Sequence, residues 1–373
     1  MIAHWVLPIL LVQGVILLAN LRHWKRRRVP LAVEPTHPLP KVSVLIPVRN
    51  ERHRLPGLVQ MLRCQKPTPL EVILCDDGSE DGSTEWLSEN LPPYQPGEPF
   101  GWFTAPPKPP DWVGKNWACH QLGSRAQGDW LLFLDADLSL HETSIASMAR
   151  VLAEGEQAQL VTAVPSLHAS SLPVGLLKLM VPFSVFTLLP LAFAEKHPHP
   201  AFGFANGQVM AFPREYYQWV QPHRLVHNGV LEDVQLARTL KKRGDRLCIL
   251  DGRTLFRVSM YDTLSEAVDG FSKNGVAICG SVFSAVVVAL ALLAVYLLPL
   301  VEGLLVGFNV WHGVDTLLSA MLFGASGWMA GLPVWYGALY PLSILIGEFV
   351  LWRSVLWYSR GKVLWKGREY RVR

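Results

Sequence analysis

Trp130–Asp137 reads WLLFLDAD: five apolar residues run directly into two aspartates spaced by one alanine. An apolar run this short, with no polar alternation, fits a central strand covered on both faces. Val42–Pro47 (VSVLIP) and Glu71–Asp76 (EVILCD) have the same character. Helical stretches over Leu55–Cys64, Ser83–Glu89 and Lys115–Ala126 separate them. Strand and helix in alternation predict an α/β fold with a mainly parallel, Rossmann-like sheet and right-handed crossovers. Ligands of such sheets bind beyond the carboxyl ends of the strands, and the polar signals of this chain sit there. Leu91–Asp111 holds eight prolines, so it is expected to lack a regular element and to form an ordered surface loop or an edge.

Composition places this domain in a membrane protein. Half of the 373 residues are apolar and 17 % are charged, below the roughly 25 % of soluble domains; mean hydropathy is +0.23. A net charge of +4 is too mild for a dedicated nucleic-acid binder. Five scattered cysteines (64, 75, 119, 248 and 279) form no zinc spacing and read as reduced thiols. Ala3–Leu21 is almost wholly apolar and is followed by Arg22, Lys25, Arg26, Arg27 and Arg28. A cleaved signal has the opposite order, so residues 1–28 read as an anchor with its basic flank in the cytoplasm. Residues 281–356 form a second membrane block. Ser281–Leu300 is a clear span, whereas Leu317–Val334 and Tyr336–Trp352 are two spans, or one span and an interfacial helix. The basic tail 357–373 is expected to be cytoplasmic, which requires an even number of crossings in this block. Residues 41–275 read as the soluble domain, placed at the cytoplasmic face of the cell (inner) membrane. Within it, residues 172–194 are apolar but carry Pro173, Lys178, Pro182 and Pro190. They read as an interfacial segment rather than a spanning helix or a buried connection.

Three acidic clusters carry the chemistry. Asp76-Asp77-Gly78-Ser79 follows one apolar run; carboxylates at a strand end can accept hydrogen bonds from a base and a ribose, and the same residues also suit a plain turn. Asp135-Ala136-Asp137 follows another. Chance alone readily supplies such a pair in a chain with thirteen aspartates. Its position is the informative part, because two carboxylates at a buried strand end repel each other unless a cation sits between them and a diphosphate. Hard oxygen ligands favour Mg²⁺ or Mn²⁺. Glu232-Asp233 opens a helix that ends with Lys241-Lys242-Arg243 and Gly244, a charge pattern that a helix dipole alone also explains.

Taken together, VSVLIPVRNE, CDDGSEDGS, LDAD and LEDVQLARTLKKRG resemble the family 2 glycosyltransferases, enzymes of GT-A fold. The likeness covers Lys41 to Gly275. Trp112-Val113-Gly114-Lys115, Asn206-Gly207-Gln208, Gly270-Phe271-Ser272-Lys273-Asn274 and the WKGREY stretch from Trp365 to Tyr370 are similar to the membrane-bound lipid glycosyltransferases. Those groups act on carotenoid or hopanoid-type terpenoids and, more distantly, on ceramide. The resemblance implies that Pro47, Arg49, Glu51, Asp76, Asp77, Lys115 and Asp135 hold a nucleotide-sugar, with Asp77 reading a uracil. It implies that Asp137 binds the metal and that Asp233 is the catalytic base of an inverting transfer. Glu232, Asn206, Gly207, Gln208, Arg257 and Lys273 then line the acceptor and diphosphate side. The QxxRW motif of processive synthases is absent, its place taken by Arg257–Tyr261 and GFSKN, which favours a single transfer. Implied partners are a nucleotide-sugar donor, a lipid acceptor and the membrane, with no nucleic acid. A polyprenyl-phosphate acceptor suits Arg257 and Lys273 equally. A transporter or flippase component is the rival outside enzymes, through His312, Asp315 and Glu348.

Overall fold

In the computed structural model, which describes residues 5–31, 38–154, 158–365 and 368–371, the chain forms two compact units. One comprises Trp24–Ser166 and Phe193–Val258; the other comprises Met1–His23, Leu167–Ala192 and Ser259–Arg373. The helix Leu264–Cys279, which contains GFSKN, and the segment 172–192 therefore group with the apolar helices rather than with the sheet.

The sheet unit is built on β1 (Val42–Val48), β2 (Glu71–Asp76), β3 (Phe100–Thr104) and β4 (Trp130–Leu134), followed by β5 (Leu138–Leu140) and β6 (Leu160–Val164). After β7 (Ser166–Leu167) come β8 (Val209–Pro213), β9 (Leu247–Asp251) and β10 (Phe256–Val258). Seven of them form one sheet in the order β3-β2-β1-β4-β8-β6-β9. β8 runs against β4 and β6, and the other pairs are parallel. β1, β2 and β4 are buried along most of their length, which is why their sequences lack polar alternation. Leu45, Ile73, Phe133 and Phe212 pack against Cys119, Leu122, Leu236 and Leu240 of the covering helices.

Both sheet edges are managed. β3 lies within the proline-rich stretch where no regular element was expected: Phe100–Thr104 is its proline-free centre, and prolines on either side suit an edge position. At the other edge, Asp251 of β9 donates its N–H to Arg27 O at 2.9 Å, and Val29 donates to Asp251 O at 3.0 Å. The chain leaving the first helix thus covers ladder groups that would otherwise be open.

Among the described residues, three helices are long and apolar enough to cross a membrane: Val6–Arg26, Val282–Val306 and Val334–Ser359. Residues 172–188 form two shorter helices, Leu172–Lys178 and Met180–Leu188, with Pro173 at the start of the first. Pro190 lies in the break after the second, where no helical N–H is needed. After Val282–Val306 the helix Val310–Met329 runs to a turn, and the 3-10 segment Val334–Leu339 folds back along it. Gly324 and Gly337 allow this: a Cβ on Gly337 would lie 2.2 Å from Ala320 O and 2.5 Å from Gly324 N. The long helix Tyr340–Ser359 then returns beside Leu264–Cys279, where Ser354 Oγ accepts from Val276 N at 2.9 Å. Of the WKGREY stretch, Lys366 and Gly367 lie outside the described residues.

Asn20 ties the first helix to the Pro190 break. Its Nδ2 donates to Phe186 O (2.9 Å) and Leu189 O (2.7 Å), and its Oδ1 accepts from Leu191 N (2.8 Å). These backbone groups have lost their helical partners, and leaving them bare in apolar surroundings is costly. Asn20→Ala should therefore lower stability by about 1–3 kcal/mol. Thermal unfolding in detergent checks this: the midpoint falls, and an unchanged midpoint contradicts the role.

Candidate active site

The site is assembled at the carboxyl edge of the sheet. Because β1, β2 and β4 are parallel, the residues that follow them, Arg49, Asp77 and Asp135, emerge at the same edge. β2 and β4 flank β1, so their ends are about 10 Å apart at ordinary strand spacing. β8 starts opposite Leu134 in antiparallel register, which brings the turn Asn206-Gly207-Gln208 to the same place. Asp135 N donates to Gln208 O at 3.0 Å. Thr162 Oγ1 holds the turn from β6, accepting from Asn206 N at 2.9 Å and donating to Asn206 O at 3.0 Å.

Lys115 sits at the centre. The helix Gly114–Arg125 starts so that Lys115 Nζ lies 2.7 Å from Asp135 Oδ1 and 2.8 Å from Glu232 Oε1. One ammonium thus joins the carboxylate after β4 to the first turn of the helix Glu232–Lys242. Burial pulls the Lys115 pKa down, but Asp135 and Glu232 outweigh it and hold the group well above the ordinary lysine value. Asp233, the next residue, accepts from Gly207 N at 2.9 Å through Oδ2 and from Val234 N at 2.8 Å through Oδ1. Burial and the neighbouring Glu232 push its carboxyl up to about 6, against the pull of Lys115 and the two backbone N–H groups. A Cβ on Gly207 would lie 3.1 Å from Asp233 Oδ2, so the glycine lets the turn approach closely.

Asp137 lies beyond Asp135. Its Oδ1 is buried and has no hydrogen-bond partner among the described residues. Burial, then Asp135 and Glu51, push its carboxyl up to about 7. Glu51 itself pairs with Arg54 at 2.9 Å. The described residues contain no group of three or more His, Cys, Asp or Glu side chains able to hold a metal. A hard divalent cation typically takes one or two carboxylates here and completes its shell with phosphate oxygens and water, and an unsatisfied carboxylate beside a second one fits that donor set.

At the ends of β1 and β2, Arg49 Nη1 donates to Asp77 O at 2.7 Å and to Gly78 O at 2.9 Å. Asp77 is buried to 8 % exposure, and its N–H extends the ladder to Val48 O. Pro47 lies one residue before the end of β1. Asp76 is fully buried and its carboxylate accepts from Ser79 Oγ (2.5 Å) and Thr84 Oγ1 (2.9 Å), so it builds the turn. Arg257 is exposed on β10, opposite Ser139 of β5, and Lys273 belongs to the other unit. Asn116 carries no motif signal and went unrecognised in the sequence. It is wholly buried beside Lys115 and donates to three carbonyls of the segment before Glu232. An asparagine inside a helix is a mild cue, since it favours caps and turns.

The raised Asp137 carboxyl has a definite sign. The native state binds its proton more tightly than the unfolded chain, so from pH ~4 to ~7 this group costs increasing stability as pH rises. In metal-free protein, Asp137→Asn should gain thermal midpoint relative to the unaltered chain across that window. A difference that does not change with pH contradicts the assignment.

Comparison with known proteins agrees with this geometry. Residues 43–166 match the family model "Glycosyl transferase family 2". A 4,4'-diaponeurosporenoate glycosyltransferase of Staphylococcus haemolyticus is 26% identical over 240 residues, covering 62% of this chain and 60% of that protein. An undecaprenyl-phosphate 4-deoxy-4-formamido-L-arabinose transferase of Serratia proteamaculans is 34% identical over 125 residues, 32% of this chain and 35% of that protein. The chain therefore spans less than two thirds of the length of either relative. Among solved structures, a mannosyltransferase of Pyrobaculum calidifontis in complex with GDP-Man and Mn²⁺ superposes with TM-score 0.50 at 17% identity, covering 88% of this chain and 99% of that one. The mainly parallel sheet with its DxD-bearing edge is thus a GT-A scaffold, and residues 43–166 of this chain are a glycosyl transferase family 2 domain.

Proposed function

We propose that the protein transfers one sugar, with inversion, from a nucleotide-sugar (UDP-linked) to a lipid acceptor at the cytoplasmic face of a membrane. The observation that carries this reading is the Lys115 bridge, which joins Asp135 to Glu232, the neighbour of Asp233. That bridge supports a reading in which donor and acceptor chemistry meet at one edge of the sheet. Asp77 and Arg49 suit the nucleoside, with Glu51 beside them. Asp135 and Asp137 are the carboxylates for Mg²⁺ or Mn²⁺, which when bound neutralises charge on the departing diphosphate. Lys115 adds a fixed positive charge on the same side. Asp233 accepts the proton of an attacking hydroxyl: at about 6 its carboxyl is still ionised at neutral pH, yet more basic than an ordinary aspartate. Gly207 N–H keeps its Oδ2 in place.

A lipid acceptor fits a chain with three helices long and apolar enough to cross a membrane. It fits also with relatives whose names give a carotenoid acid and undecaprenyl phosphate as acceptors. The undecaprenyl-phosphate relative supports a second reading in which the acceptor is a polyprenyl phosphate. The cytoplasmic placement rests on the basic residues in the last turns of the first helix and just beyond it, Arg22 to Arg28. With Val334–Leu339 folding back on Val310–Met329, the later block is read as crossing twice, the even number that a cytoplasmic tail requires. An epitope inserted at Gly307 should then be accessible from outside intact cells and one after Gly361 only after permeabilisation; the reverse pattern contradicts the orientation.

The chemistry is tested with labelled nucleotide-sugars and two acceptors of equal chain length, geranylgeraniol and geranylgeranoic acid, in detergent. The acid is already ionised at neutral pH, so it needs little help from a base. Asp233→Asn should cut turnover by about 10²-fold on the alcohol and only mildly on the acid. Equal losses on both reject Asp233 as the base, and transfer that persists in Asp137→Ala rejects the donor site.

A further inference from the structure

The segment that delivers Asp233 has no regular structure of its own: Val226–Leu231 is turn and bend between the short helix Pro222–Leu225 and the helix Glu232–Lys242. Its placement comes from outside. Asn116 Nδ2 donates to Val226 O (2.7 Å), Gly229 O (3.1 Å) and His227 O (3.3 Å), and Val113 N donates to His227 O at 2.7 Å. An amide NH₂ has two hydrogens, so three carbonyls converge on one donor group. Asn116 is 0 % exposed, and its Oδ1 is buried with no hydrogen-bond partner among the described residues. The side chain therefore acts here purely as a donor. A Cβ on Gly229 would lie 1.9 Å from Gln235 Oε1, so a side chain there would displace Gln235.

We infer that Asn116 is a positioning residue that sets Asp233 for proton transfer by clamping the Val226–Gly229 carbonyls to the helix carrying Lys115. This rests on the reading of Asp233 as the base. Two neighbours on one helix then divide the work: Lys115 holds the charges of Asp135 and Glu232, and Asn116 holds the backbone that leads to them. Gly207 N–H grips the Asp233 carboxylate from the β8 side. With Asn116 removed, only the approach path of the chain is released, while Asp77 and Asp135 keep their backbone bonds to Val48 O and Gln208 O. Misplacing a reacting group by about 1 Å can cost 10²-fold in rate, so the expected effect falls on turnover and not on donor affinity.

The test uses the full-length chain in detergent, with geranylgeraniol as acceptor and UDP with Mn²⁺ as the binding probe. Asn116→Ala should lower kcat on the alcohol by about 10- to 100-fold, with UDP affinity by calorimetry within about twofold of the unaltered chain. On geranylgeranoic acid the loss should be small, as for Asp233→Asn. The double variant Asn116→Ala/Asp233→Asn should be no slower on the alcohol than Asp233→Asn alone, because both act on one step. Asn116→Gln, which keeps the amide donor, should recover part of the rate; it is the variant to compare if Asn116→Ala does not fold. A parallel loss of UDP affinity, equal losses on the two acceptors, or multiplicative losses in the double variant would each overturn the positioning role. If Asp233→Asn is itself harmless on the alcohol, the base assignment fails, and that result is separate from any of these.

Discussion

Among the described residues, Glu51, Asp135, Asp137, Glu232 and Asp233 crowd one part of the carboxyl edge of this sheet, around the ammonium group of Lys115. Lys115 touches Asp135 and Glu232 directly, while Glu51, Asp137 and Asp233 lie close enough to feel the same charges. Burial first, and then the neighbouring like charges, push Asp137 and Asp233 toward protonation. An edge of this kind is unfavourable for folding alone and favourable for binding a cation and a diphosphate. The rest of the sheet unit serves to hold it: parallel strands bring three acidic segments to one edge, and antiparallel β8 returns the Gly207 turn to meet the fourth.

Much of this was legible in the sequence, for definite reasons. VSVLIP, EVILCD and WLLFLD are recognisable because strands buried on both faces need unbroken apolar runs, and the structure has β1, β2 and β4 there. Glu232-Asp233 opens its helix, and Gly244 follows the end with φ +87°, because both are local signals. The proline-rich stretch misled, since the five proline-free residues of β3 gain their pairing from β2 rather than from their own composition. Asp76 and Asp77 are indistinguishable in sequence. Only the fold turns one inward onto Ser79 and Thr84 and leaves the other at the edge. Asn116 was invisible because its partners are backbone carbonyls 110 and more residues away, and carbonyls have no residue identity to read.

The apolar unit follows the same logic with a different solvent. Prolines in the segment 172–192 sit at helix starts and breaks, and the groups they expose are satisfied by Asn20 from far along the chain. Hydropathy alone left the number of later spans open. The close backbone contact at Gly324 and Gly337, which no hydropathy profile registers, is what turns Val334–Leu339 back on its predecessor.

The central claim is that aspartates 77, 137 and 233, remote along the polypeptide, serve a single bound sugar nucleotide. Its most direct test is the structure of the full chain with a non-hydrolysable UDP-sugar and Mn²⁺, with anomalous scattering used to locate the metal. Mn²⁺ is expected on Asp137, with the base against Asp77 and the anomeric carbon facing Asp233. A nucleotide bound away from this edge, or Mn²⁺ held without Asp137, would contradict it.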